Sequence, residues 1–308
     1  MTKLGTSGLD VSRLSLGGNV FGWTADESDS FAVLDAYTAA GGNFVDTADA
    51  YSHWIDGHSG GESEAVVGRW LARRGRRDDV VIATKVGMLP GLDNLKADTI
   101  ERAAEASLRR LGVDHVDLYY AHRDDPDTPQ EESLAAFDRL VRAGKVRYVA
   151  ASNYTADRLT SALEVSAREG FASFVALQQH YNLVERDYEG ELESAVRGGG
   201  LSSVPYFGLA RGFLTGKYRP GATVDSPRAA AASQYLDDER GPRVLAALDR
   251  IAAERNTTVA AVALAWLAAR STVAAPIASA RNVAQLTDLL PVLDLELTAA
   301  EVDALAAA

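Results

Sequence analysis

A chain of 308 residues with 47% hydrophobic composition can bury a large core, and its length admits two ordinary domains or one α/β barrel. A formal net charge of −12 disfavours nucleic acid as a partner, and the absence of cysteine removes disulfides, thiol nucleophiles and thiolate metal sites. No run approaches the about 20 apolar residues of a membrane span, and the N-terminus lacks a signal-like basic flank and apolar block, so a cytoplasmic protein is expected.

In chain order, Leu4–Val11 alternates apolar residues about a Ser-Gly turn and predicts a small hairpin that plugs the bottom of a barrel. A first strand is expected near Arg13–Leu16. Seven short apolar runs follow, each finishing on a polar group or a small-residue turn. Asn43–Asp46 ends in a carboxylate, Val80–Lys85 in an amine and Leu118–His122 in an imidazole. Tyr148–Asn153 and Val175–Gln178 end in amides, Ser203–Tyr206 in a phenol, and Ala274–Ala280 in small residues.

Helices are predicted over Glu27–Ala40, Glu62–Arg73, Ala97–Leu111, Pro129–Ala143, Ala156–Glu169 and Glu191–Arg197. In Ala97–Leu111, Ile100, Ala103, Ala104, Ser107, Leu108 and Leu111 share one face, and Gly144 supplies the stop of the fourth helix. Arg211–Gly241 reads as one long irregular segment, a candidate lid. Helices then follow at Pro242–Arg255, Val259–Arg270, Val283–Leu290 and Ala299–Ala307. Short strands apolar on both faces, each followed by a helix, predict a parallel sheet covered by helices. The expected fold is a (β/α)8 TIM barrel with an N-terminal β-hairpin and extra C-terminal helices, one domain over residues 1–308.

Reactive groups at the carboxyl ends of barrel strands mark the place where such a fold builds its site. Asp46, Lys85 and His122 end neighbouring strands about 4.8 Å apart, and Tyr51 follows Asp46 in the next loop. An ammonium beside a phenol stabilises the phenolate and lowers its pKa, a carboxylate holds the ammonium, and an imidazole orients a carbonyl oxygen. That set suits proton delivery to an oxygen as a carbonyl becomes an alcohol. The hydride must come from a cofactor. Taken singly, these residues have plainer readings: Asp46 as a helix cap, Tyr51 as a packed aromatic, His122 as a core histidine.

The dinucleotide-binding Gly-x-Gly-x-x-Gly and the phosphate-binding Walker loop are both missing. Barrels instead form phosphate sites after strands seven and eight, where Arg211, Lys217, Arg228 and Arg281 lie. Trp23, Trp54 and Met88 fall in rim loops and predict an apolar substrate pocket, or simple packing.

From LSLGGNVFG through NFVDTADAY, VVIATKVG, VDLYYAHRDDP, GKVRYVAASNY, LQQHYNLVER and LARGFLTGKY to PIASARNVAQL, the chain resembles the aldo-keto reductase superfamily. The resemblance implies a tetrad of Asp46, Tyr51, Lys85 and His122 with Tyr51 as general acid, reducing aldehydes or ketones. It implies a nicotinamide cofactor, held by Gly18 and Asn19 and by Ser152, Asn153 and Gln178 on the carboxamide. The charge that Arg281 offers a 2′-phosphate points to NADPH, with NADH as the other donor. Tyr206 would stack on the ring, and Phe207, Gly208, Leu209, Ala210, Arg211, Lys217 and Arg228 would line the pyrophosphate. Ser279, Arg281 and Gln285 would surround the adenosine phosphate. Ser152-Asn153 also reads as an ordinary cap of the fifth helix.

Phe207-Gly208-Leu209 departs from the family's Ser-Pro-Leu, and Asp288-Leu289 from its Glu-Asn. A metal hydrolase would need clustered His and carboxylates, and a glycosidase two facing carboxylates, so no metal is expected. The remaining rival is a regulatory subunit that binds NADPH, as potassium-channel β-subunits do. The expected partner is a small-molecule carbonyl, with no nucleic acid or membrane partner and the oligomeric state open.

Overall fold

The computed structural model describes residues 1–221, 224, 229–237 and 239–308. A hairpin of β1 (Thr2–Lys3) and β2 (Asp10–Val11) comes first, paired antiparallel with Thr2 opposite Val11. The expected hairpin is therefore displaced. Leu4–Leu9 forms its six-residue loop, and the alternation there marks burial, not pairing.

Eight parallel strands follow among the described residues: β3 (Ser15–Gly17), β4 (Phe44–Asp46), β5 (Val81–Val86), β6 (Val116–Ala121), β7 (Val146–Ser152), β8 (Phe174–Gln178), β9 (Ser202–Ser203) and β10 (Ile277–Ala278). They are hydrogen-bonded in the order β10-β3-β4-β5-β6-β7-β8-β9. A parallel bridge between Ser203 and Val273, with the Ile277 N–H donating to Pro205 O at 2.8 Å, brings the two ends together. This is a (β/α)8 barrel. Its last strands are shorter than the apolar runs suggest, since Pro205 and Pro276 have no N–H to give a ladder.

The helices are α1 (Glu27–Ala39), α2 (Glu62–Arg74), α3 (Ala97–Leu111), α4 (Gln130–Arg142), α5 (Ala156–Glu169) and α6 (Glu191–Gly198). After them come α7 (Ala229–Ser233), α8 (Arg240–Glu254), α9 (Val259–Ala268), α10 (Val283–Leu289) and α11 (Ala299–Ala307). Caps fix several ends: Thr155 accepts from the Arg158 N–H to start α5, and Gly112 and Gly170 turn left-handed after α3 and α5. Arg211–Gly241 is not uniformly irregular. A 3₁₀ helix spans Ala210–Thr215, and α7 and a 3₁₀ turn at Gln234–Leu236 follow. None of the described helices is long and apolar enough to cross a membrane.

Period-two alternation divides each strand between two cores. Phe44, Val81, Ala83, Leu118 and Tyr120 pack inside the barrel with Leu4, Leu9 and Val11, so the hairpin loop plugs it as expected. Val45, Ile82 and Tyr119 face outward into the helix layer. The inward set continues through Asp46, Lys85 and His122, two residues beyond Phe44, Ala83 and Tyr120. Strand period thus delivers three reactive groups to one mouth.

Candidate active site

Asp46 and Lys85 are both fully buried, and the Lys85 Nζ is 2.5 Å from Asp46 Oδ1. Lys85 also donates to Thr47 O and Tyr51 Oη, each at 2.8 Å. Tyr51 donates to Asp46 Oδ1 at 3.1 Å, while Gln178 Nε2 donates to Asp46 Oδ2 at 2.8 Å. The backbone takes φ 71 at Ser52, turning the chain directly after Tyr51. The His122 ring stands edge-on to Tyr51 at 6.1 Å between centroids, and its Nδ1 is buried with no hydrogen-bond partner. All four predicted tetrad residues therefore meet. Asp46 caps no helix: α2 begins behind Gly61 without a side-chain cap.

Burial pushes the Lys85 ammonium below its usual pKa, opposed by the Asp46 carboxylate, which favours the charged form. Burial also pushes Tyr51 well above 10, reinforced by Asp46. The expected lowering is thus reversed, and the phenol stays protonated across neutral pH. Burial, then Lys85 and Arg123, holds His122 well below 6.5, so its imidazole is neutral. The ligand-free site holds a protonated phenol backed by an ammonium, beside a neutral imidazole.

Behind Lys85 lies a second layer that the sequence reading did not find. Buried Glu64 accepts from Thr84 Oγ1 at 2.5 Å and from Arg110 Nε at 2.6 Å. Asp49 is fully buried with no hydrogen bond to either carboxylate oxygen. Burial first, then the Glu64 charge, raises its pKa from 3.8 to about 8. Between those values the folded state keeps a proton that the unfolded state has released, so stability falls as pH rises through that window. The slope is at most about 1.4 kcal/mol per pH unit. We predict that Asp49→Asn removes this loss. Denaturant midpoints from pH 5 to 8 should diverge increasingly in the variant's favour; parallel curves would show that Asp49 is ionised when folded.

Above the tetrad opens a cavity of about 650 Å³, within the usual range of small-ligand sites. Asp46, Tyr51 and His122 reach its floor; Lys85 lies beneath and does not line it. Trp23, Trp54 and Met88 line it too, with Trp23 edge-on to Trp54 at 5.6 Å. Trp54 is 47% exposed and Met88 39%, so these two are not simply packed core.

Ser152, Asn153, Gln178 and Tyr206 form one wall. Tyr206 donates to Asn153 Oδ1 at 2.8 Å, and Asn153 Nδ2 donates to His122 O at 2.9 Å. Because Thr155 caps α5, the capping reading of Ser152-Asn153 does not hold. His180 stacks on Tyr206 at 5.6 Å with a 14° tilt, a support the sequence did not signal.

Phe207, Gly208, Leu209, Arg211 and Lys217 line the arm beyond, with Asn19, Ser279, Arg281 and Gln285. Phe207, Ala210 and Arg211 are left-handed at φ 53, 46 and 58. A Cβ at Gly17 would fall 2.6 Å from Ser279 Oγ, so glycine there leaves room for the 2.6 Å bond between Ser279 and Asn19. Gly18 and Ala210 do not line the cavity, and Arg228 lies outside the described residues. Thr24, Thr215, Thr258 and Ala260 line it and were missed. Of these, Thr258 was legible only as the cap of α9.

These walls fit a nicotinamide dinucleotide. Three cationic side chains (Arg211, Lys217 and Arg281) line the cavity of a strongly acidic protein, as an anionic phosphate chain requires. The Tyr51 phenol and the His122 ring line the cavity where a carbonyl would react.

A family model described as "Aldo/keto reductase family" matches residues 13–308. The chain is 40% identical over 228 residues to the "Uncharacterized oxidoreductase YrpG" of Bacillus subtilis (strain 168), covering 70% of this chain and 68% of that one. It is 35% identical over 223 residues to "Norsolorinic acid reductase stcV" of Emericella nidulans, covering 67% and 56%. It is 36% identical over 225 residues to a "Probable voltage-gated potassium channel subunit beta" of Oryza sativa subsp. japonica, covering 71% and 66%.

Proposed function

This chain belongs to the aldo/keto reductase family of NAD(P)-dependent oxidoreductases, and from that premise we propose that it reduces an aldehyde or ketone with NADPH, using Tyr51 as general acid. The observation that carries the reading is the buried Lys85 ammonium, 2.8 Å from Tyr51 Oη and 2.5 Å from Asp46. A reduced nicotinamide held in this cavity would supply hydride to the carbonyl carbon.

Tyr51 gives its proton to the carbonyl oxygen as the carbonyl becomes an alcohol. Lys85 then stabilises the phenolate until solvent returns the proton. Neutral His122 orients the oxygen, and Trp23, Trp54 and Met88 cover the carbonyl's apolar side. With Tyr51 protonated across neutral pH, reduction is the direction that the ligand-free site is prepared for. Oxidation must first remove that proton.

Ser152, Asn153 and Gln178 would hold the carboxamide, Tyr206 the ring, and Arg211 and Lys217 the phosphates. Arg281 offers a charge-assisted partner for a 2′-phosphate, which favours NADPH over NADH. Arg281→Leu is expected to raise KM for NADPH about 10- to 100-fold, the worth of a lost charged hydrogen bond. KM for NADH should move less than about threefold. Equal losses for both cofactors would remove Arg281 from the discrimination.

The relative named as a potassium-channel subunit supports a second reading, a cofactor-binding regulatory subunit with little turnover. Loss of NADPH absorbance with a panel of aldehydes, aromatic ones first, separates the two. Turnover establishes the reductase. Tight NADPH binding without turnover favours the subunit.

A further inference from the structure

The Asp46 carboxylate is held from opposite sides of the barrel. Lys85 and Tyr51 share Oδ1, whereas Gln178 alone among the described side chains donates to Oδ2. Asp46 lies on β4 and Gln178 ends β8, four strands away in the sheet. Their 2.8 Å contact therefore crosses the mouth of the barrel. Both side chains are buried, so water does not replace this donor readily.

We propose that Gln178 is a positioning residue for proton transfer: it holds Oδ2 from across the barrel, keeping Oδ1 turned to Lys85 and Tyr51 together. The inference rests on the reductase reading, in which Gln178 was assigned only to the cofactor. A carboxylate paired with an ammonium accepts hydrogen bonds and cannot donate them. That fixes the amide nitrogen of Gln178 toward Asp46. Its carbonyl end is turned the other way, on a side chain that also lines the cavity.

Without Gln178, one buried oxygen of Asp46 has no donor. The cheapest repair is rotation of the carboxylate so that both oxygens meet Lys85. The ammonium is then drawn off Tyr51, and the phenolate loses its support. A side chain that served only as a cofactor contact would have no such effect on Tyr51.

Gln178→Met keeps the length and removes the donor. In the ligand-free variant, a crystal structure should show the Lys85 to Tyr51 contact opened beyond hydrogen-bond distance. In alcohol oxidation, the rising limb of kcat against pH should move upward by about one unit, with kcat down about 10-fold at neutral pH. NADPH affinity, read by fluorescence quenching, should weaken by less than the loss in kcat, since only one neutral hydrogen bond to the carboxamide goes with the amide.

Gln178→Glu is the second variant. Protonated glutamic acid can donate to Asp46 and ionised glutamate cannot, so carbonyl reduction should recover toward wild type as pH falls. Weakened NADPH affinity matching the loss in kcat, with the pH limb and the Lys85 to Tyr51 contact unmoved, would overturn the inference. If wild type itself neither bound NADPH nor turned over, the reductase reading would fall. The ligand-free geometry of Gln178→Met would still decide whether Gln178 positions Asp46.

Discussion

Tyr51→Phe is expected to lower kcat for NADPH-dependent carbonyl reduction by about 10²–10⁴-fold, the usual worth of a positioned acid. The substitution removes one oxygen and keeps the ring, which is half-buried beside His122. NADPH affinity and thermal stability should change little, because the hydroxyl's partners, Lys85 and Asp46, stay bonded to each other at 2.5 Å. If the variant keeps wild-type kcat while folded and cofactor-bound, the proton comes from elsewhere. His122 would then be the next group to test.

The effect on pH dependence follows from burial. Tyr51 is held well above its ordinary value, so wild-type reduction should lose nothing to deprotonation of this group at neutral pH. Oxidation, which needs the phenolate, should still be rising in alkaline buffer.

Much of this site was legible because strand period and loop position are local. A run such as NFVD puts its last side chain on the same face as the first apolar one, so Asp46, Lys85 and His122 could be placed together from sequence. Helices whose ends carry their own signals were read to the residue. Gly112 and Gly170 close α3 and α5, and the Thr298–Glu301 capping box starts α11. Strand ends and the hairpin were read less well, since short apolar runs report burial and not pairing. Leu4 and Leu9 fill the barrel interior from a loop.

What stayed hidden depends on depth and on distant pairing. The direction of the Tyr51 shift turns on the depth of burial, reinforced by the Asp46 charge, which residue types do not disclose. The bond from Gln178 to Asp46 spans 132 residues, and its partner residue was already explained by another role. Asp49 stood unnoticed between two residues of interest, because a carboxylate in a loop normally reaches water.

The second large effect is expected at Lys85→Met, and it separates fold from chemistry. The buried Lys85–Asp46 pair stands between a desolvation cost and a close attraction, so its net contribution to stability is small. Removing only the ammonium leaves the carboxylate buried and uncompensated, at a cost of about 3–5 kcal/mol. Against a typical total of about 5–15 kcal/mol, that should appear as a large drop in denaturation midpoint. Turnover should fall with it, as Tyr51 loses the charge that supports its phenolate. Asp46→Asn combined with Lys85→Met removes both charges and should recover most of the lost stability. It should recover none of the turnover, because the phenol still has no ammonium beside it. A double variant that regained turnover along with stability would mean that Lys85 serves the fold alone, and the proton would need another route.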